Sequence, residues 1–425
     1  MIPHMRIQPH ARALALFAAG LLTGAAITAG ATGPIPFDRL EAFSHALSII
    51  HARYVDERDP DDLVYDAIGG LTQGLDDHSV FLAPDAYKQM LEQTSGEYYG
   101  VGVQTELREG GVFITAVSEG SPALEAGLTE GDRIVAVDGT LVTAENASAV
   151  LGRVRGPRGT VVLLGIERGP ERMDLAVPRD QVHTRSVQGA LLGDGIGLVR
   201  IARFQKRTVD EVSEQLALLK EENEGPLSGL VIDLRDNPGG YLRQAVAVAD
   251  LWLADGTIVS TIDRGRDSQQ DRAQAVGTDK ATPLVVLING GSASAAEILA
   301  GALQDLQRAT LLGYTSYGKG SVQQFFELAD GSALKLTTAR YLTPSGRFIH
   351  GSGIKPDLVL GDGNAPFDAE RMAPLFALHP TDVEEVETDP ELHAAWALLR
   401  DPEGAGRWFA EQQPAADPAE SPVPL

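Results

Sequence analysis

The stretch that decides the fold reads LVVLINGGSASAAEILAGALQDL and spans residues 284–306. It begins with an uninterrupted apolar run, which is typical of a strand buried on both faces of a sheet. The glycine-containing segment that follows predicts a turn, and the alanine-rich remainder has the apolar spacing of a helix. A buried strand, a turn and a helix in succession indicate an α/β domain.

The same order of elements occurs on either side of this stretch. Residues 230–232 form another apolar run, a turn is predicted at 233–240, and helical spacing extends from 242 to 253. A third strand is predicted at 309–312. Repeated crossovers of this kind predict a mainly parallel sheet whose turns emerge at one edge. We therefore expect the chemistry of this domain, residues 181–360, at that edge.

Two of these turns offer groups suited to acyl transfer. Gly239 and Gly240 free the backbone to aim N–H groups at an oxyanion, although a strand-to-helix corner alone also explains them. Ser294 precedes a helix whose first N–H group, that of Ala295, would point into the same space. The serine is either a helix cap or a nucleophile, and its position in the sequence is compatible with both.

A third turn, GYTSYGKG at 313–320, resembles a phosphate-binding loop. The hydroxyl residue that this motif needs is replaced by Gly320, and the following residues predict strands rather than a helix, so we reject nucleotide binding. Lys319 is left as a cation at the sheet edge. It could serve as a base for Ser294 if desolvation lowers its pKa from ~10.4 towards neutrality. Gln323 either orients this amine or is an exposed strand residue.

Two regions precede the sheet domain and one follows it. Apolar residues recur every three or four positions from Phe37 to Tyr54, which predicts a helix that packs within the chain or against a second copy. We interpret residues 37–96 as a helical cap. Alternating segments over 97–180 predict a β-rich domain. Residues 361–425 are acidic and predict a solvated extension, docked at most through its aromatic residues.

The first 31 residues have the pattern of an export signal. Arg6 and Arg12 lead into a run without charge over 13–31, which ends in the small residues 29–31. The run is also long enough to remain as a membrane anchor. We expect an exported protein of the periplasm or cell envelope, in contact with the membrane only through this segment.

Charge and composition exclude several classes of protein. The chain has 425 residues, and its 35 Lys and Arg against 59 Asp and Glu give a formal charge of −24, the wrong sign for a nucleic-acid partner. The absence of cysteine excludes disulfides and thiol catalysis. None of the nine histidines lies in the three turns, so a Ser-His-Asp triad has little support. We expect no metal and no cofactor.

Three segments, 233–240, 291–297 and 317–323, in this order and at these separations, resemble the carboxy-terminal processing proteases, also called tail-specific proteases. The resemblance covers about residues 37–360. It implies a crotonase/ClpP-like protease core beside the predicted helical cap. One departure is Asp77, where members of the family usually have proline; we expect this position to lie in the cap, with little bearing on catalysis.

The resemblance also implies roles for individual residues. Ser294 corresponds to the family's nucleophile, Lys319 to its general base, and Gln323 to the residue that positions the lysine. The backbone N–H groups of Gly240 and Ala295 correspond to the oxyanion hole.

The β-rich region resembles a PDZ domain in three blocks, 99–103, 121–128 and 131–139. Such a domain binds a chain-terminal carboxylate on free loop N–H groups and pairs the peptide with the next strand. The loop residues are Tyr99, Gly100, Val101, Gly102 and Val103.

We therefore predict an exported serine endopeptidase that recognises the C-termini of proteins or peptides and forms homo-oligomers. A non-catalytic PDZ scaffold of the cell envelope is one alternative. Another acyl hydrolase on the same core is a second.

Overall fold

The computed structural model describes residues 37–412, apart from 267, 276, 361–373, 376, 378, 380 and 382. The chain divides into two compact units, one up to Gly74 and the other from Leu75 onward. The predicted signal peptide or anchor, residues 1–31, lies outside the described residues. Across the part of the chain that is described, no helix is long and apolar enough to cross a membrane.

The described part of the first unit is helical, with α1 (Phe37–Arg53) and α2 (Pro60–Gln73). Asp59 caps α2 by accepting the N–H group of Asp61 at 2.8 Å. Pro60 occupies the first helical position, where the missing N–H group costs nothing. Helix α1 lies where the apolar spacing from Phe37 to Tyr54 predicts it.

The second unit begins with β1 (Val80–Leu82), α3 (Pro84–Ser95) and β2 (Glu97–Gly100). A small β-rich domain follows, consisting of β3 (Val103–Arg108), β4 (Gly111–Val117), α4 (Pro122–Glu125), β5 (Arg133–Val137), β6 (Thr140–Leu141), α5 (Ala147–Leu151), a 3₁₀ turn (Gly152–Val154), β7 (Val161–Arg168) and β8 (Glu171–Pro178). Its antiparallel sheet has the order β3-β4-β5-β7-β8, and β6 pairs with β5. Strand β9 (Asp180–His183) returns to pair with β2. The domain is thus entered and left through one two-stranded ladder.

The largest domain is built from strands and helices in alternation. Its elements are β10 (Val187–Leu191), β11 (Ile196–Ile201), α6 (Thr208–Glu222), β12 (Gly229–Asp233), α7 (Leu242–Asp250), β13 (Thr257–Asp263), β14 (Ser268–Arg272), β15 (Leu284–Ile288), α8 (Ala295–Asp305), β16 (Thr310–Gly313), β17 (Ser321–Glu327), β18 (Ala333–Leu342) and β19 (Leu358–Val359). The central sheet has the order β10-β11-β12-β15-β16-β19. All its pairings are parallel except that of β10 with β11, which confirms the predicted mainly parallel sheet.

A second, antiparallel sheet has the order β1-β18-β13-β14, and β17 also pairs with β18. Strand β17 follows the turn at 313–320, as the sequence predicts. Because β1 and β17 both pair with β18, the segment just before β1 is brought close to the end of this turn.

Three helices follow β19 in the described part of the C-terminal extension: α9 (Glu384–Thr388), α10 (Pro390–Arg400) and α11 (Pro402–Gln412). Trp396 and Phe409 are each only 2% exposed and belong to a core cluster with Val231 and Leu287 of the central sheet. Helices α7 and α8 cover the opposite face. The C-terminal helices α9, α10 and α11 are therefore not solvated as the sequence predicts. A parallel sheet with apolar side chains on both faces needs a cover on each face, and these helices provide one of the two.

Arg235 connects this extension to the turn after β12. Its side chain is 13% exposed and donates to carboxylate oxygens of Asp233 at 2.9 Å, Asp389 at 2.6 Å and Glu391 at 2.9 Å. Burial alone would lower the pKa of Arg235, but the hydrogen bonds that it donates to Asp233 and Asp389 outweigh it and raise that pKa. The guanidinium thus holds together three carboxylates from two parts of the chain.

We expect Arg235→Met to lower the free energy of unfolding by about 3–5 kcal/mol, since it leaves buried carboxylates without their counter-charge. Urea unfolding followed by circular dichroism measures the change. Arg200→Met is the matched control: Arg200 lies 3.9 Å from the same Asp233 with 49% of its side chain exposed, so its loss costs less than about 1 kcal/mol. Equal effects of the two substitutions would refute a structural role for the Arg235 cluster.

Candidate active site

Ser294 lies at the junction of β15 and α8, where the chain turns sharply from strand to helix. Its backbone has φ 56° and ψ −114°, a combination that residues other than glycine rarely adopt. Its N–H group donates to Glu297 at 2.8 Å, which holds this conformation in place. In α/β-hydrolases, too, a strained strand-to-helix turn presents the catalytic serine.

A buried carboxylate joins the turn of Ser294 to the turn of Lys319. Glu297 is fully buried, and its Oε2 accepts the N–H groups of both Ser294 and Lys319 at 2.8 Å. Its Oε1 accepts the N–H group of Gly318 at 2.7 Å and the hydroxyl of Ser316 at 2.5 Å. One side chain therefore sets the backbones of both predicted catalytic residues. Sequence analysis missed this role, although a glutamate three positions after a serine is the signature of a capping box.

Tyr341 of β18 joins the same two turns through their carbonyl groups. Its phenol, on a side chain only 1% exposed, donates to the carbonyl oxygen of Ser294 at 3.1 Å and to that of Lys319 at 2.6 Å. Burial, together with the neighbouring Glu297, raises the pKa of Tyr341 well above its ordinary value. The phenol therefore stays protonated and remains a donor at any physiological pH.

The environment of Lys319 shifts its pKa in the direction of the neutral form. Burial lowers the pKa of this amine, and the nearby charge of Lys335 lowers it further, against the opposite influence of Glu297 and Asp76. Among the described residues, no hydrogen bond joins Lys319 Nζ to Ser294 Oγ. Proton transfer between these two side chains would require a closer approach of the amine to the hydroxyl.

The turn that carries Gly239 and Gly240 lies against the serine. A Cβ atom placed on Gly239 would be 2.8 Å from Ser294 Cβ and 2.9 Å from the nitrogen of Ala295, so only glycine allows this approach. Within the described structure, the N–H groups of Gly240 and Ala295 donate to no other residue. Asn237, fully buried, fixes the turn by accepting the N–H group of Gly239 at 2.8 Å. The predicted donors Ala295 and Gly240 therefore belong to two segments that meet here, since Ala295 follows Ser294 and Gly240 follows Gly239.

Gln323 lies on β17, close to the end of the lysine turn. Its Nε2 donates to Ser321 Oγ at 2.9 Å and to Thr337 Oγ1 at 3.2 Å. It makes no hydrogen bond to Lys319 among the described residues, so its role in orienting the lysine stays a prediction.

The segment from Asp76 to Ser79 lies nearer the site than its sequence suggests. The sequence places Asp77 in the helical cap, whereas the structure has the neighbouring Asp76 bonded to Thr337 of β18 at 3.2 Å. Burial and then the charge of Lys319 lower the pKa of His78. No local pattern indicates this proximity, because the contact depends on the pairing of β1 with β18.

The predicted peptide-binding loop precedes an open sheet edge. Gly102 has φ 91°, and a Cβ atom on it would lie 2.3 Å from Ser121 Cβ, so the loop needs glycine there. Among the described residues, the N–H groups of Val101 and Gly102 have no acceptor. Among the described strands, β3 pairs with β4 alone, and its other edge is open.

Comparison with known proteins identifies the family of this chain. The family model described as "Peptidase family S41" matches residues 195–360, and a PDZ domain model matches residues 113–168. A carboxy-terminal-processing protease of Bartonella bacilliformis is 38% identical over 332 residues, which cover 76% of this chain and 75% of that protein. The chain belongs to peptidase family S41. The predictions of a carboxy-terminal processing protease family and of a serine-type peptidase are confirmed.

Further relatives of this S41 peptidase differ in length. A probable CtpA-like serine protease of Staphylococcus aureus is 35% identical over 76% of this chain, and the match covers 64% of that protein. Among solved structures, a photosystem II D1 C-terminal processing protease has 31% identity and a TM-score of 0.44, with coverage of 77% of this chain and 94% of that one.

Proposed function

We propose that this S41 peptidase is an endopeptidase with a Ser-Lys dyad, on a crotonase/ClpP-like core. The observation that carries the proposal is the buried Glu297 carboxylate. A single one of its oxygens, Oε2, accepts the N–H groups of both Ser294 and Lys319. A strained serine and a desolvated lysine, fixed by the same anion, are the two components that such a dyad requires.

The chemistry follows from these groups. Neutral Lys319, oriented by Gln323, takes the proton of Ser294 Oγ as this oxygen attacks the substrate carbonyl. The N–H groups of Gly240 and Ala295 stabilise the negative oxygen of the tetrahedral intermediate. Protonated Lys319 then donates to the leaving amine, and water, deprotonated by the same lysine, hydrolyses the acyl-enzyme. Each step uses groups of this chain and a water molecule.

We infer that the PDZ domain selects protein or peptide substrates by their free C-termini. The loop Tyr99, Gly100, Val101, Gly102 and Val103 would bind the terminal carboxylate. The unpaired donors of Val101 and Gly102 support this, and the open edge of β3 offers backbone groups to which an extended peptide would pair.

We also propose that the protein is exported to the periplasm or cell envelope, by way of a signal peptide or anchor in residues 1–31, and that it forms homo-oligomers. The surface of α1 supports self-association. Leu40, Phe43 and Ile50 are each 45–50% exposed on one helix, and apolar side chains grouped in this way often mark a contact between copies.

Peptides with the same cleavable body and either a free or an amidated C-terminus test the recognition of C-termini. We expect amidation to lower kcat/KM roughly 10- to 100-fold, mainly through KM, because it removes charge-assisted hydrogen bonds of about 1.5–3 kcal/mol. Mass spectrometry of the products, with the C-terminal residue varied across the set, gives the preference at the same time. Equal kcat/KM for acid and amide would exclude recognition of the terminal carboxylate.

A further inference from the structure

Asp76 is an ionised acceptor next to the sheet that carries Gln323. Its carboxylate accepts the N–H group of His78 at 2.8 Å and the hydroxyls of Ser79 at 2.9 Å and Thr337 at 3.2 Å. Burial would raise the pKa of Asp76, but these hydrogen bonds outweigh it and lower that pKa below its ordinary value. A carboxylate in this state only accepts hydrogen bonds.

The ionised Asp76 therefore fixes which group donates and which accepts in the hydrogen bond between Thr337 and Gln323. Thr337 has one hydroxyl proton, and it points to Asp76, so only lone pairs of Thr337 Oγ1 remain for Gln323. The amide nitrogen of Gln323 donates to that oxygen at 3.2 Å and to Ser321 Oγ at 2.9 Å. Both amide hydrogens of Gln323 are then in use, and its carbonyl oxygen is the atom left for another partner.

The backbone strengthens this arrangement. The N–H group of Thr337 donates to Ser79 Oγ at 3.1 Å, while the Ser79 hydroxyl donates to Asp76. Thr337 is thus held by its main chain and by its side chain to the same short segment. Strand β1 continues from this segment and pairs with β18, which carries Thr337.

We propose that Asp76 is a positioning residue that acts through Thr337 to keep the carbonyl oxygen of Gln323, rather than its amide nitrogen, available to the amine of Lys319. The inference rests on the proposed function, because it deepens the role given there to Gln323. A neutral amine has two hydrogens and one lone pair. A carbonyl acceptor takes a hydrogen and leaves the lone pair for Ser294, whereas an amide donor would compete with Ser294 for that lone pair.

Asp76→Asn is the direct test, since asparagine is nearly the same size but can also donate, which removes the fixed polarity. We expect kcat at the high-pH plateau to fall roughly tenfold, with KM little changed. If Asp76 acted only through its charge, its removal would lower the pKa of Lys319, shift the rising limb of the pH profile to lower pH and leave the plateau unchanged. That outcome would overturn the proposal.

Thr337 offers a matched pair of variants. Thr337→Val removes the hydroxyl that donates to Asp76 and accepts from the amide nitrogen of Gln323. It should lower the plateau kcat about as much as Asp76→Asn. Thr337→Ser keeps the hydroxyl and should retain most of the activity. A thermal melt of each variant separates this effect from loss of folding, and equal kcat values for the valine and serine variants would refute the relay.

A double-mutant cycle separates this proposal from the proposed function. In a Gln323→Ala background, Asp76→Asn should have little further effect on kcat, because its route of action is already lost. Full additivity would overturn the inference while leaving the dyad intact. An unchanged kcat in Gln323→Ala alone would instead contradict the role of Gln323 in the proposed function.

Discussion

We expect Ser294→Ala to reduce kcat for peptide cleavage by a factor of about 10⁴–10⁶, which in practice abolishes the activity. Alanine removes the attacking oxygen but keeps Cβ, and the main-chain hydrogen bonds of this residue to Glu297 and Tyr341 do not involve the hydroxyl. The fold should therefore be retained. Steady-state cleavage of a peptide substrate, together with circular dichroism melting, measures both properties.

The neighbouring serine provides the control. Ser292 is fully buried, and its Oγ accepts the N–H group of Asn289 at 2.9 Å and donates to the carbonyl oxygen of Leu234 at 2.8 Å. Ser292→Ala should lower the free energy of unfolding by about 1–3 kcal/mol and still yield an enzyme that cleaves. If Ser294→Ala retained full activity, the nucleophile would have to be another residue.

Lys319→Arg has the second largest expected effect, a loss of about 10²–10⁴ in kcat, because a guanidinium stays protonated and cannot act as a base. The wild-type pH profile adds evidence of a different kind. Activity should rise with pH as Lys319 loses its proton, and this limb should lie below the ordinary pKa of lysine, because burial and Lys335 lower the pKa of this amine. Rates measured over a pH series locate the limb.

Lys335→Met tests the second cause of that lowered pKa, the nearby positive charge. Removal of a positive neighbour stabilises protonated Lys319, so the pKa of Lys319 rises and the limb moves to higher pH. At neutral pH the variant is then slower, and its rate recovers as the pH is increased. A limb that stays in place in Lys335→Met, or normal cleavage by Lys319→Arg, would contradict the assigned base.

The local elements of the catalytic domain could be predicted because each has its own pattern. The strand Leu284–Ile288 is a continuous apolar run, and the helix Ala295–Asp305 follows a serine in a glycine-containing turn. The turn at 313–320 leads into a strand, as its alternation indicates. The packing of the C-terminal helices on the sheet was not predictable in the same way, because the acidic composition of residues 361–425 indicates a solvated segment.

By itself, the sequence determined the order of the domains, the parallel sheet and the identity of Ser294 and Lys319 as a candidate pair, since these depend on residue type and spacing along the chain. Only the tertiary structure decided what surrounds that pair. The contact of Asp76 with Thr337 joins residues 261 positions apart, and the bonds of Arg235 to Asp389 join residues 154 positions apart. Periodicity reports which face of an element is buried, but it contains no information about which distant side chain will meet it there.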